Sequence, residues 1–168
     1  MRKIVFTGPE CSGKSTLSTA LSKKFNLPLV EEYARQYLND LNKSYNYDDL
    51  LQIAKGQLKL EKEAEKKMSN LLICDTNLQV IKIWSELKYS KCDPFILQNQ
   101  DIEAYYVLCY PDFKWKYDPL RENPNNRMQV VQKYYQELKS QNQKFIIVKG
   151  SNQDRISFLK SKISKMIE

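Results

Sequence analysis

The sequence contains no histidine. That absence excludes Ser–His and Cys–His nucleophile pairs, histidine-ligated zinc and imidazole proton shuttles. Any proton transfer falls to a carboxylate, Lys, Tyr, Cys or water. Cysteine is sparse: the 4 residues Cys11, Cys74, Cys92 and Cys109 form no CxxC pair and have no zinc-like spacing. Reduced thiols and a cytoplasmic location are therefore expected. Long apolar runs are missing as well. None approaches the ~20 residues of a membrane span, and the run after Arg2 and Lys3 is too short for a signal segment. No linker, repeat or low-complexity stretch divides the chain, so residues 1–168 are read as one domain with enough apolar content (42%) for one core.

The net charge of +7 would suit a polyanionic partner. Basic stretches such as KLEKEAEKK, however, interleave lysines with glutamates, as exposed helix faces do. The partner expected is a small molecule, neither nucleic acid nor membrane, and a homo-oligomer is compatible with the pattern.

KIVFT, ended by Gly8 and Pro9, reads as a buried strand. Leu17, Ala20, Leu21 and Phe25 then recur at helical spacing, predicting a helix from Lys14 to Phe25. LPLVEEY reads as a second strand from about Pro28, ending in Glu31 and Glu32. Asn46 caps a long helix with Asp48 and Asp49 in its first turn, expected to reach about Met68. Gly56 within it marks a weak point or a close approach. LLICDT is a third strand ending at Asp75, followed by a helix with Val80, Ile81, Ile83, Trp84 and Leu87. Asp93 and Pro94 open a short helix. YYVLCY is a fourth strand and residues 112–126 a surface loop. Met128, Val131, Tyr135 and Leu138 mark another helix, KFIIVKG is a fifth strand, and Ser151 with Asp154 caps the last helix. Continuous apolar strands alternating with helices predict an α/β fold, a five-stranded parallel sheet between two helical layers. Ligands then gather at the carboxyl ends of the strands.

The segment from Gly8 to Ser15, GPECSGKS, matches GxxxxGK[ST] in full, with a strand before and a helix after. Glycines Gly8 and Gly13 let the loop turn its amides, through Glu10, Cys11, Ser12 and on to Thr16, toward phosphates at a helix N-terminus. Lys14 would reach the β- and γ-phosphates of ATP, and the Ser15 hydroxyl would ligand Mg²⁺. Asp75, at a strand end, is the second metal-side acid or a helix cap. Asn42-Lys43 lacks the aspartate of a guanine-specificity loop, and no glycine closely follows Asp75. Both features argue against a GTPase switch, and the chain is too short for the added helical domain of a ring-forming ATPase. A kinase of small molecules is left. It needs a base, for which Glu31 and Glu32 both qualify, and a lid, for which residues 112–127 offer Phe113, Trp115, Tyr117, Arg121 and Arg127.

GPECSGKSTLS, EEYARQYL, LLICDTNLQVIKIW and FKWKYDPLRENPNNR resemble, in order and spacing, the ribosylnicotinamide kinase domain of bacterial NadR-type proteins. The resemblance runs from Ile4 to the final helix. It implies a P-loop NTPase fold and transfer of the ATP γ-phosphate, with Mg²⁺, to the 5′-hydroxyl of nicotinamide riboside, giving nicotinamide mononucleotide. It implies Glu32, in EYAR, as the acid at the acceptor, with Arg35 ordering that turn, Asp75 on the magnesium side and Arg121 as the lid arginine. Trp115 would be an aromatic of the nucleoside pocket. Tyr33, Asn77, Trp84 and Asp118 complete the implied acceptor set, and Arg127 belongs to the nucleotide side. The family's D-T-D is Asp75-Thr76-Asn77 here, and its adenylyltransferase domain has no counterpart. The alternatives are a kinase of another nucleoside or of a nucleoside monophosphate, and a non-catalytic ATP-binding regulatory module.

Overall fold

The computed structural model describes residues 2–66 and 71–167. Strands β1 (Arg2–Thr7), β2 (Leu29–Val30), β3 (Leu71–Asp75), β4 (Tyr105–Cys109) and β5 (Lys144–Val148) form one sheet in the order β2-β3-β1-β4-β5. Every pairing in it is parallel. The described helices are α1 (Lys14–Phe25), α2 (Tyr33–Asp40), α3 (Tyr47–Lys66), α4 (Leu78–Tyr89), α5 (Pro94–Gln98), α6 (Arg127–Ser140) and α7 (Asn152–Ile167).

The central strands are apolar throughout because helices cover both sides of them. Successive side chains of a strand point to opposite faces. On one face Val5, Leu72, Cys74, Tyr106 and Leu108 pack with Ile83 of α4 and with Val130, Tyr134 and Leu138 of α6. On the other, Ile4, Phe6, Ile73 and Val107 meet Leu17 and Leu21 of α1 and Leu159 and Ile163 of α7. Ala34, Ile53, Leu78, Ile81 and Ile96 knit α2 to α5 into a third cluster. This is the three-layer α/β P-loop fold that the alternating pattern predicts. Of the described helices, none is long and apolar enough to cross a membrane.

Local chemistry starts the helices where expected. The Asn46 side chain accepts the amide of Asp48 at 2.8 Å, and Asp49 returns the favour by accepting that of Asn46 at 2.8 Å. Asp93 accepts the Phe95 amide ahead of Pro94. Ser151 and Asp154 form the reciprocal pair that opens α7.

Two expectations are corrected. β2 stops at Val30, and Glu32 is instead the extended N-cap (φ −68°, ψ 105°) of α2, a helix the apolar pattern does not announce. Docking makes that helix: the Tyr33 amide donates to Gln57 Oε1 of α3 at 3.0 Å, and Ala34 is buried. In α6 the inward face is Val130, Val131, Tyr134 and Leu138, while Met128 is 55% exposed. The end of the long helix expected near Met68 lies outside the described residues.

Gly56 is where α2 and α3 touch. A Cβ there would stand 2.0 Å from the Tyr33 ring. Gly56→Ala should therefore destabilise the protein by about 1–3 kcal/mol through overpacking, read as a fall in thermal midpoint. In a Tyr33→Ala background the sign should invert, because only the helix-propensity gain of roughly 1 kcal/mol remains.

Candidate active site

The order of the sheet brings the carboxyl ends of β1, β2, β3 and β4 to one rim. From β1 the chain enters the glycine loop. Gly8 has φ 129°, and a Cβ on it would stand 2.6 Å from the carbonyl oxygen of Cys109, so only glycine lets β4 lie this close. No side chain caps α1, whose N-terminal amides face the cleft. Lys14 curls back over the loop, donating to the carbonyls of Gly8 (3.0 Å) and Pro9 (2.9 Å).

Two carboxylates share this rim. Burial raises the Glu32 carboxyl above its usual range; the Lys14 charge opposes the rise, and the Asp75 charge adds to it. Burial also raises Asp75, against a hydrogen bond from Ser15 and the charge of Lys14. The Oδ1 atom of Asp75 is buried without a hydrogen-bond partner. An orphaned carboxylate oxygen beside a hydroxyl is an oxygen donor set suited to a hard divalent cation, so Ser15 and Asp75 fit Mg²⁺.

Residues 112–127, the expected lid, lie over the loop, and Glu10 clasps them. The Glu10 carboxylate accepts the amides of Glu122 (2.9 and 3.1 Å) and Asn123 (2.9 Å). Beside it, the Lys116 amide donates to Cys11 Sγ at 3.3 Å. Glu122 reaches the far wall, accepting from Tyr45 (2.6 Å) and Lys88 (2.7 Å). Burial works against it, but those bonds from Lys88 and Tyr45 hold the Glu122 carboxyl below its usual range. Behind the loop lies Arg155, 1% exposed, its guanidinium donating to Ser12 O (2.7 Å), Tyr110 O (2.8 Å) and Asp112 Oδ2 (2.9 Å).

Between loop, α2, α4, α6 and lid runs a cleft of about 410 Å³. Of the residues singled out in the sequence, it is lined by Gly8, Glu10, Cys11, Ser12, Gly13, Lys14, Ser15, Thr16, Glu32, Arg35, Trp84 and Arg121. Asp75 reaches it through Ser15. Others are placed outside the lining, each with a physical reason. Tyr33 packs onto Gly56. Asn77 is 2% exposed and used by the fold, accepting the Gln79 amide and donating to the Tyr106 hydroxyl. Trp115 lies under the Arg127 guanidinium, 5.7 Å from its ring centre. Arg127 itself donates to Phe113 O at 2.9 Å, and Asp118 accepts from Arg35 at 3.1 Å. Arg121, within the lining, donates to Lys116 O at 2.6 Å. Glu31 is exposed and outside the cleft lining.

Sequence reasoning missed Tyr134, Lys88, Glu122, Tyr45 and Arg155. Two of them had a signal: Lys88 stands four residues after Trp84 and so on the same helix face, and Glu122 lies within the FKWKYDPLRENPNNR stretch.

A profile of the AAA domain family matches residues 3–155. Curated protein sequences yield no match. Among solved structures the fold is similar to that of NadR in complex with NAD and AMP-PNP, at 18% identity and a TM-score of 0.70, over 89% of this chain and 44% of that one. The chain thus spans less than half of that protein. The fold is also similar to deoxyadenosine kinase from M. mycoides with bound dATP, at 19% identity and a TM-score of 0.63 over 96% and 99% of the two chains. Thymidylate kinase from Ehrlichia chaffeensis matches at 16% identity and 0.66, over 99% and 98%.

Glu10 makes the clasp testable. Charge-assisted bonds of this kind contribute about 1.5–3 kcal/mol each, so Glu10→Ala should open the lid by at least roughly tenfold. Limited trypsinolysis at Lys114, Lys116 or Arg121 should accelerate accordingly, with the thermal midpoint little changed.

Proposed function

The chain belongs to the AAA domain family of P-loop proteins, and on that footing we propose that it is an ATP- and Mg²⁺-dependent nucleoside kinase. The acceptor we propose first is nicotinamide riboside, phosphorylated at its 5′-hydroxyl. One observation carries the reading: a single cleft runs from a complete phosphate loop, past the half-buried acid Glu32, to an apolar compartment walled by Val80, Ile83, Trp84 and Leu87. A phosphate donor, a base and a seat for an aromatic acceptor thereby share one enclosed space.

In this mechanism the loop amides and the α1 N-terminus hold the donor's phosphates. Lys14 exchanges its carbonyl partners for phosphate oxygens, which its flexible stem permits. Mg²⁺, held by Ser15 and Asp75, would offset the charge of the phosphates. The acceptor's 5′-oxygen attacks the γ-phosphorus, the bond from that phosphorus to the ADP oxygen breaks, and the hydroxyl proton passes to Glu32. Glu32 is preferred over Glu31 because it lines the cleft, and over Asp75 because that acid is committed to the metal side. Its raised pKa suits a base working near neutral pH. Arg121 and the lid exclude water, which would otherwise compete as acceptor. The Trp84 indole, with Glu32 in the same lining, suits a cationic pyridinium ring.

Arg35 and Arg121 also line the cleft and could clamp a nucleoside monophosphate. Both are already engaged, Arg35 by Asp118 and Arg121 by Lys116 O, which favours an uncharged 5′-hydroxyl.

Purified protein incubated with MgATP and a panel of nucleosides and nucleoside monophosphates should yield a 5′-monophosphate, with nicotinamide riboside the preferred acceptor. Preference for monophosphates would reassign the acceptor. ATP binding with no phosphorylated product from any acceptor would leave a binding module and overturn the kinase reading. Glu32→Gln should lower kcat roughly 10²–10⁴-fold with a much smaller change in KM. Wild-type kcat/KM should fall as pH falls, because a protonated Glu32 cannot take the hydroxyl proton. The midpoint should lie above the ordinary carboxylate range, and Glu32→Gln should lose that limb.

A further inference from the structure

Lys88 and Glu122 meet across the cleft, one on α4 and one on the lid, with Nζ and Oε1 at 2.7 Å. The Tyr45 hydroxyl and the Trp84 indole complete the cluster. Oε2 of Glu122 accepts from Tyr45 at 2.6 Å and from Trp84 Nε1 at 3.4 Å. Lys88 also donates to the Tyr45 hydroxyl at 2.5 Å. Counting capacities is informative. An ammonium has three N–H donors, and Lys88 uses two; a carboxylate offers about four lone-pair sites, and Glu122 fills three of them. One N–H of Lys88 and one lone pair on Oε1 therefore remain, on neighbouring atoms, in residues that both border the cleft.

The pair sits where an acceptor's ring would end. Lys88 lies eight residues beyond Val80 on α4, about 12 Å along the helix axis, comparable with the long axis of a nucleoside. A molecule with its hydroxyl at Glu32 and its ring on the Trp84 wall would bring the outer ring edge to Lys88 and Glu122. Because the two charges offset each other, the pair selects by hydrogen-bond pattern rather than by net charge.

Resting on the kinase reading above, we propose that Lys88 and Glu122 determine acceptor specificity by reading an acceptor–donor edge. Such an edge sets a carbonyl or ring-nitrogen acceptor beside an N–H, as in a carboxamide. Lys88 donates to the acceptor atom, and Glu122 accepts from the N–H. A carboxylate at the same place presents two acceptors and no N–H, so it faces Glu122 oxygen to oxygen and is rejected. With an acceptor seated over the pair, an unmatched group leaves these polar partners unpaired, and that is the stronger form of discrimination.

The test compares kcat/KM for nicotinamide riboside and nicotinic acid riboside, which differ only in carboxamide against carboxylate, in the full chain with MgATP. Wild type should prefer the carboxamide. Glu122→Gln keeps shape and hydrogen-bonding capacity but adds an N–H donor, so the preference should shrink at least about tenfold. Lys88→Met removes the cation, leaves Glu122 to repel the carboxylate, and should enlarge the preference. Opposite movements of one ratio are not expected of residues that merely hold the lid, since opening the lid would weaken both acceptors alike. A wild-type enzyme that phosphorylates nucleosides without distinguishing this pair, or variants that leave the ratio unchanged, would overturn the inference while leaving the kinase reading intact. No product from any nucleoside with wild type would instead fault the kinase reading.

Discussion

Three charged groups that water would keep apart, Lys14, Glu32 and Asp75, are gathered at the rim of one sheet, and much of the structure serves to hold them there. Burial alone would discharge the two acids, and the cation between them offsets part of that cost, as the opposing effects on both carboxyls show. The sheet order β2-β3-β1-β4-β5 makes the arrangement possible by setting β3 beside β1, so that Asp75 faces the loop and Glu32 arrives from the next strand out. A site of this kind, with two raised acids and a lysine resting on carbonyl oxygens, is prepared for anionic phosphate and a divalent cation.

The loop and the lid are mechanically coupled through two groups. Glu10 ties the loop to the lid from above through two backbone amides, and Arg155 ties it to the lid's root from behind. A planar guanidinium with five donors can hold several carbonyls and a carboxylate in fixed relation, which a lysine cannot. Its burial is tolerable because the charge is both paired and hydrogen-bonded. Any displacement of the loop by nucleotide is thus felt at residues 112 and 122, at opposite ends of the lid.

What was legible in the sequence was what depends on near neighbours along the chain. Five apolar runs became five strands, the caps at Asn46, Asp93 and Ser151 opened their helices, and the phosphate loop lies where its pattern places it. Illegible features depended on distant partners. α2 exists because it docks on Gly56 and Gln57, so its sequence alone looked like the tail of a strand. Of the two tryptophans, the one amid the lid's aromatics looked the better ligand group, yet Arg127 lies over it and Trp84 lines the cleft. Asn77 looked like an acceptor contact and instead caps α4. Tyr45, Lys88 and Glu122 are 34 to 77 residues apart along the chain, and no spacing rule joins them.

The central claim is that donor and acceptor seats meet end to end in one cleft, with Lys14 and Glu32 at the junction. A dinucleoside polyphosphate carrying adenosine at one end and nicotinamide riboside at the other would occupy both seats at once. Titration calorimetry should show it binding at least roughly a hundredfold more tightly than ATP, since the second end binds intramolecularly. Affinity no greater than that of ATP would mean that the second end finds no seat, and would contradict the account.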